Sequence, residues 1–280
     1  MTDSKPLKTV LLTLGASMCA AALAAAVFVW SGAYDISANV QHTQALHSLL
    51  EAAMHRSVKR HAAHIAPPPL HAPALLLRGA ACYRVHCLQC HGAPGVAQGD
   101  IGRSMQPLPG PLVDASRRWA PQELYWITRN GIKMSGMPAW QYRLADEDLW
   151  ALVAFLQHMP SLTAPAFQAL QPDPGCSTAP DRAVTGRLPN AERGRVALTQ
   201  YACNACHRIP GVTGSDVHVG PPLDGLARRG LVAGVLPNTA DNLVRWIREP
   251  RSVDAQTTMP DMQVNEADAR DMAAYLATLQ

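Results

Sequence analysis

Apolar and polar positions along the chain predict a helical protein with one segment long enough to cross a membrane. Thr9 to Trp30 carries no charged residue, and a helix of that length reaches roughly 33 Å, against a bilayer hydrocarbon core of about 30 Å. From about residue 37 to residue 64 apolar residues recur at helical spacing, until the prolines at 67–69 end the pattern. No long stretch alternates as a strand does, so the remaining chain is also predicted to be helical.

The N-terminal apolar segment predicts that the rest of the chain is exported. Lys5 and Lys8 precede it, and lysines on that side keep the N-terminus in the cytoplasm. A cleaved signal peptide is the alternative, although its apolar region would usually be shorter and would end at a small-residue cleavage site. An uncleaved anchor is favoured, with a single pass through a bacterial inner membrane and the later domains on the periplasmic side.

Changes in composition divide the chain into five predicted segments. They are a cytoplasmic tip with the transmembrane anchor (1–36), a juxtamembrane helix with a proline-rich stalk (37–71), a first domain (72–160), a linker (161–190) and a second domain (191–280). Both domains show the same order of features: a helix leading to CxxCH, a proline-rich turn, a tryptophan-bearing helix, a Met-Pro pair and a closing helix with an acidic start. This shared order indicates an internal duplication.

The two CxxCH motifs are the strongest chemical signal in the sequence. They are Cys87, Cys90 and His91 in the first domain, and Cys203, Cys206 and His207 in the second. A redox dithiol would follow a strand, a four-ligand zinc site would need further Cys or His nearby, and a disulfide within CxxC would leave the histidine unexplained. Covalent haem attachment accounts for all three residues, because each thiol forms a thioether and the histidine becomes the proximal iron ligand. The sequence therefore predicts two covalently bound haem c groups.

Each domain also supplies a methionine as a candidate sixth ligand of the iron. Met137 and Met259 both precede a proline, which fixes the local backbone and cannot propagate a helix. Met134 and Met262, each three residues away, are alternative ligands, but the Met-Pro context favours the first pair. Histidine together with methionine raises the reduction potential of a haem.

Both halves resemble class I cytochrome c domains, and the whole chain resembles a membrane-anchored dihaem cytochrome c. The resemblance covers about residues 74–160 and 190–280 and implies an all-α fold for each domain. It implies that the cysteines of CxxCH bind haem, that the histidine is its proximal ligand and that the methionine before proline is its distal ligand.

The resemblance also implies two further features of each domain. The first and last helices are expected to cross through a glycine and an aromatic residue. These pairs are Gly79 with Phe155, and Gly194 with Tyr275. A proline carbonyl is expected to accept the ring N–H of the proximal histidine. That proline is Pro221 in the second domain and either Pro109 or Pro111 in the first.

Other cysteines and histidines have less specific interpretations. His86 precedes Cys87, which is predicted to be tied to the porphyrin edge, so a ligand role for His86 is disfavoured. The histidines of the stalk lack a clean i, i+4 pair and are predicted to be solvated or interfacial. Cys82 and Cys176 could form a disulfide in an exported protein, and the sequence leaves their pairing open.

These features predict an electron carrier with no catalytic residue. Two six-coordinate haems leave no open site for a substrate, so electrons would pass between redox partners such as cytochromes and the subunits of an oxidase or a dehydrogenase in the respiratory chain. A dihaem enzyme such as a peroxidase is the alternative, and it would need a haem that loses its distal ligand. Nucleic acid is not predicted as a partner, because the chain has no basic run and the propionates of two haems would reverse its net charge of +3.

Overall fold

A computed structural model describes residues 5–170, 176, 188–214, 216 and 219–280 of the chain. Most of the predicted linker lies outside the described residues. The described chain is largely helical, with a single two-stranded hairpin, and this confirms the predicted all-α class. It forms two compact units, one of which contains the first CxxCH motif and the other the second.

Two helices precede the first CxxCH domain. Helix α1 spans Lys5–Trp30, and its length and its mean hydropathy of 2.2 allow it to cross a membrane. Helix α2 spans Gln44–Ala62. It begins later than residue 37 because the Thr43 hydroxyl accepts a hydrogen bond from the backbone N–H of Leu46, which caps the helix there.

Helix α2 packs against the first CxxCH domain instead of standing apart from it. Val58 and Ala62 are each 1% exposed. The His55 ring stacks on Trp119 with ring centres 4.1 Å apart, and the His61 ring stacks on Trp126 at 5.3 Å. Two of the stalk histidines are therefore packed against indole rings.

The first domain is built around a crossing of its first and last long helices. The remaining helices of this unit are α3 (Pro73–His86), α4 (Leu88–His91), α5 (Asp100–Arg103), α6 (Ala115–Arg118), α7 (Pro121–Asn130), α8 (Asp146–His158) and α9 (Ala164–Ala169). Helix α3 crosses α8 at Gly79, where a Cβ would overlap the carbonyl of Ala151 and would lie 2.8 Å from the Cβ of Phe155. The predicted contact of Gly79 with Phe155 is confirmed, and only glycine fits there.

The second domain repeats this crossing with fewer elements. It contains α10 (Ala191–Gln200), the strands β1 (Leu231–Val232) and β2 (Leu236–Pro237), and the helices α11 (Ala240–Arg248), α12 (Pro250–Val253) and α13 (Glu266–Leu276). Helix α10 meets α13 at Gly194, where a Cβ would overlap the carbonyl of Asp271 and would lie 2.8 Å from the backbone nitrogen of Met272. These backbone atoms, rather than the Tyr275 ring predicted to fill the notch, are nearest to the glycine.

A disulfide adds a covalent link within the first unit. Cys82 in α3 is bonded to Cys176, and their Cα atoms lie 5.1 Å apart. Cys82 is fully buried, so the bond ties the chain beyond α9 back to the centre of the domain. The pairing that the sequence left open is thus present in the structure.

Candidate haem sites

The first CxxCH motif lies on one turn of helix directly after α3. Cys87 ends α3, and the backbone N–H of His91 donates to the carbonyl of Cys87 at 3.0 Å. Gly92 follows with a φ of +63°, which ends α4. The Tyr83 hydroxyl donates to the carbonyl of Gly92 at 2.5 Å. The turn therefore holds both thiols and the histidine on one short, anchored segment.

The second motif adopts a closely similar turn. Cys203 to Ala205 form a short 3₁₀ turn, and the backbone N–H of His207 donates to the carbonyl of Cys203 at 2.9 Å. The same pair of motif positions is thus hydrogen-bonded in both domains. The Tyr275 hydroxyl, from the last helix, donates to the carbonyl of Pro210 at 2.7 Å and holds the loop that follows the motif.

Each motif histidine is oriented through its Nδ1 atom. His91 Nδ1 lies 2.7 Å from the carbonyl oxygen of Gly110, and His207 Nδ1 lies 2.7 Å from that of Pro221. Because Nδ1–H donates to a carbonyl, Nε2 is the ring nitrogen left to coordinate iron. In the second domain a Cβ at Gly220 would lie 2.6 Å from the His207 ring, so glycine allows the backbone to approach the imidazole closely.

These hydrogen bonds test the predicted proline acceptors. Pro221 is confirmed, whereas both candidates in the first domain, Pro109 and Pro111, are wrong. The carbonyl of Pro109 instead accepts from the Gln98 side chain. The two observed acceptors occupy the same place in each turn, since Gly110 stands two residues before Leu112 as Pro221 does before Leu223. The acceptor is a backbone carbonyl at a fixed position, and the residue type at that position is free to vary.

Burial affects the protonation of both motifs. It raises the pKa of Cys87 to about 12 and that of Cys203 to about 11, with the neighbouring motif cysteine adding to the rise in each case. Burial also lowers the pKa of His91, which outweighs the opposing effect of its bond to Gly110. A buried thiol is poorly ionised, and a neutral imidazole is the form that binds a metal. Burial thus favours the neutral thiols in both motifs and the neutral imidazole of His91.

The Met137 loop is fixed by hydrogen bonds on both sides of the methionine. Its backbone N–H donates to the Ser135 hydroxyl at 3.2 Å, and its carbonyl accepts from the N–H of Ile132 at 3.2 Å. Gly131, with a φ of +68°, ends α7, and a Cβ there would lie 2.6 Å from the Met137 carbonyl. Met137 is partly buried, whereas Met134 is 92% exposed, and this exposure favours Met137 as the ligand.

The Met259 loop contains the same local bond. The backbone N–H of Met259 donates to the Thr257 hydroxyl at 3.2 Å. Met259 is partly buried and Met262 is exposed. A hydroxyl residue two positions before the methionine occurs in both domains, as Ser135 and Thr257. This signal was available in the sequence and would have identified both residues as supports of the predicted ligands.

Helix α5 brings the first CxxCH motif and the Met137 loop to the same part of the domain. A Cβ at Gly102, in α5, would lie 2.9 Å from the Cα of Cys90. Just beyond α5, Met105 packs against the methionine loop, because a Cβ at Gly136 would lie 2.6 Å from its sulfur. Met105 is a second thioether beside the predicted ligand, and no motif in the sequence marks it.

The residues present fit covalently bound haem c in both domains. Each motif offers two thiols on a single turn, an imidazole whose Nδ1 is already bonded, and a partly buried methionine on a fixed loop. Sulfur and imidazole donors of this kind are those that hold haem iron in cytochromes. His86 does not join this set, and its ring packs against Trp140 at 4.9 Å between ring centres.

Comparisons with known proteins point to the same class. Residues 74–156 match the family model described as cytochrome c oxidase, cbb3-type, subunit III, and residues 191–280 match the model described as cytochrome c. A cytochrome c oxidase subunit 2 of Alkalihalophilus pseudofirmus is 34% identical over 91 residues. That alignment covers 32% of this chain and 26% of the relative, so the chain spans about a quarter of the relative's length.

Fold, motifs and family matches together define two helical domains of the kind that carries c-type haem. The chain has two cytochrome c-type domains in tandem, as in a dihaem cytochrome c. Cytochrome c domains bind covalently attached haem c, and two domains fit two haem groups. The resemblance seen in the sequence is confirmed for both halves.

Proposed function

We propose that this protein is a membrane-anchored electron carrier that passes electrons between redox proteins of a respiratory chain. The observation that carries the proposal is the repeated orientation of the proximal histidine. In both domains Nδ1 is bonded to a backbone carbonyl at 2.7 Å, and Nε2 is available on the opposite side of the ring. A methionine on a hydroxyl-supported loop completes each site, so both irons would be six-coordinate.

Each residue of the two sites would have a defined role in such a carrier. Cys87, Cys90, Cys203 and Cys206 would hold the two porphyrins, His91 and His207 would be the proximal ligands, and Met137 and Met259 the distal ligands. Bound haem c supplies a one-electron couple between ferric and ferrous iron. The carbonyls of Gly110 and Pro221 fix the plane of each imidazole and increase its basicity as a ligand. Fixed ligands keep iron geometry similar in both oxidation states, which favours fast electron transfer.

Three observations support the cellular setting. Helix α1 is long and apolar enough to cross a membrane. The first domain matches a family described as a subunit of a cbb3-type oxidase, and the relative from Alkalihalophilus pseudofirmus is described as an oxidase subunit. We infer that the protein is held in a bacterial inner membrane with both haem domains on the periplasmic side, as a shuttle to, or a subunit of, a terminal oxidase or membrane dehydrogenase.

Ligand substitution tests the proposal directly. The protein is produced in a host with haem-attachment machinery, haem is counted per chain, and the ferric spectrum is examined for the weak far-red band of methionine-bound iron. Met137→Ala and Met259→Ala should each remove about half of that band, while the control substitutions Met134→Ala and Met262→Ala should leave it unchanged. One haem per chain would contradict the proposal, and a high-spin ferric spectrum with rapid peroxide turnover would support a peroxidase.

A further inference from the structure

One face of helix α2 packs against the first CxxCH domain. Val58 and Ala62 are almost completely buried there, and His55 stacks on Trp119. At 100° per residue these three residues lie within about 60° of one another around the helix axis, and His61, which stacks on Trp126, lies about 60° from Val58 on the other side. One face of α2 is therefore occupied by protein.

The opposite face of α2 is exposed and has an ordered chemical pattern. Leu49 is 67% exposed and projects about 180° away from Val58, and Leu50 is 49% exposed and lies at the edge of this face, about 80° from Val58. The exposed Ala53 and the partly buried Leu46 lie between these leucines around the axis, in the N-terminal half of the helix. In the C-terminal half the same side carries the exposed residues Arg56, Lys59 and Arg60. The face is thus apolar in one half and basic in the other.

The acidic residue of α2 is kept off this face. Glu51 lies within about 20° of Val58 around the axis, and its carboxylate is 3.8 Å from Nδ1 of His47 on the same side. Positive charge on the far face therefore has no acidic residue of its own helix beside it. A surface of exposed leucines continued by arginine and lysine is complementary to a bilayer whose headgroups are anionic.

We propose that this far face of α2, formed by residues 46, 49, 53, 56 and 60 with Leu50 and Lys59 at its two edges, lies on the lipid surface. The leucines enter the boundary between headgroups and acyl chains, and the basic residues contact anionic headgroups. The inference rests on the proposed membrane anchoring, because α1 ends at Trp30 and only a short connection separates it from Gln44. Along that connection Ile36 is a second exposed apolar residue, at 90%. With one face on lipid and the other on α7, α2 holds the first haem domain at the membrane.

The test uses the full haem-loaded chain in vesicles. In a Cys19→Ala background, Leu49→Cys is labelled with a fluorophore and compared with His47→Cys, which is also exposed but lies on the other side of the helix. In vesicles containing phosphatidylglycerol, brominated lipid should quench the label at position 49 about threefold more strongly than the label at position 47. Equal quenching at the two positions would overturn the proposal.

A second variant tests the basic half of the face. The triple substitution Arg56→Gln, Lys59→Gln and Arg60→Gln should reduce quenching at position 49 in phosphatidylglycerol vesicles and leave quenching in phosphatidylcholine vesicles unchanged. A label at position 49 that is shielded from solvent only at high protein concentration, and is not quenched by lipid, would assign the face to a second copy of the chain. That result would overturn the proposal. Haem count, far-red band and flotation with vesicles are measured on the same samples. Loss of haem or of flotation would count against the proposed function, whereas equal quenching with both retained would count against lipid contact alone.

Discussion

The two cytochrome c domains bring their terminal helices together through the same backbone approach but differ in the hydrogen bonds around it. Gly79 meets the carbonyl of Ala151 and the Cβ of Phe155, whereas Gly194 meets the backbone of Asp271 and Met272. In both, a missing Cβ allows the two helices to touch. The backbone contact is therefore common to both copies, and an aromatic residue stands four positions after the contacted carbonyl in each, Phe155 in the first and Tyr275 in the second.

The buried ion pairs beside the two crossings differ in how completely the aspartate is hydrogen-bonded. In the first domain the Arg78 guanidinium donates to Asp148 at 2.5 Å, and the second carboxylate oxygen has no partner among the described residues. In the second domain Arg193 donates to both carboxylate oxygens of Asp271, at 2.7 and 2.9 Å, and the backbone N–H of Asn190 donates to it at 2.7 Å. The second pair is the more completely hydrogen-bonded.

A tyrosine anchors the segment after CxxCH in each domain, but it comes from the first helix of one domain and from the last helix of the other. Tyr83 belongs to the first helix and bonds the carbonyl of Gly92, and Tyr275 belongs to the last helix and bonds that of Pro210. The comparison shows that the segment following CxxCH must be tied to the helix crossing, and that either helix can supply the hydroxyl. Four sets of substitutions test this comparison.

The largest effect is expected from adding a methyl group at either crossing. Gly79→Ala places a Cβ inside the carbonyl of Ala151, and two packed backbones cannot move apart without loss of the domain core. We expect destabilisation by more than about 4 kcal/mol and a fall from two haems to one per chain. Gly194→Ala should have the same effect on the second domain. Gly230→Ala is the control, since a Cβ there meets no atom within 4 Å. Retention of both haems in Gly79→Ala would contradict the close approach.

Removal of the arginine should distinguish the two ion pairs. Arg78→Met leaves the fully buried Asp148 without its donor and should cost about 3–5 kcal/mol. Arg193→Met should cost less, because Asp271 keeps the N–H of Asn190. Peptide-resolved hydrogen exchange measures the change in each domain separately. Arg103→Met is the matched control, because Arg103 pairs with Asp100 on the protein surface. A larger loss for Arg193→Met would reverse the ranking inferred from the hydrogen bonds.

Loss of the disulfide should weaken the first domain alone. Cys82→Ala with Cys176→Ala opens a link between residues separated by 94 positions, and we expect a loss of about 2–4 kcal/mol. Exchange should rise in α3 and α8 and stay constant in α10 and α13. Cys19→Ala removes an exposed cysteine of α1 and should change neither. An equal rise of hydrogen exchange in both domains would contradict the prediction that the disulfide stabilises only the first domain.

Local motifs account for most of what the sequence predicted. CxxCH places two thiols and an imidazole on one turn whatever the surroundings, and the glycine of each crossing was implied by the resemblance to cytochrome c domains. The acceptor for His91 was missed because the bond depends on a position in the turn and not on a proline side chain. The packing of α2 was missed because its partners Trp119 and Trp126 lie more than fifty residues along the chain. Periodicity shows that a face is apolar without showing what covers it.

The smallest expected effect concerns the hydroxyl that supports each methionine loop, where the two domains agree most closely. Ser135→Ala and Thr257→Val each remove one hydrogen bond to the backbone N–H of the methionine, at a cost of about 1 kcal/mol per bond. Ser135→Ala also removes the bond that this hydroxyl donates to the carbonyl of Ile132. The far-red band should weaken, and imidazole added in solution should displace the methionine at lower concentration. Ser252→Ala is the control for the second domain, because that hydroxyl bonds the carbonyl of Glu249 instead. If the far-red band weakens in only one domain, then the two methionine loops are held by different contacts. In the first domain, the packing of Met105 against Gly136 is one such contact that could hold the loop without the hydroxyl.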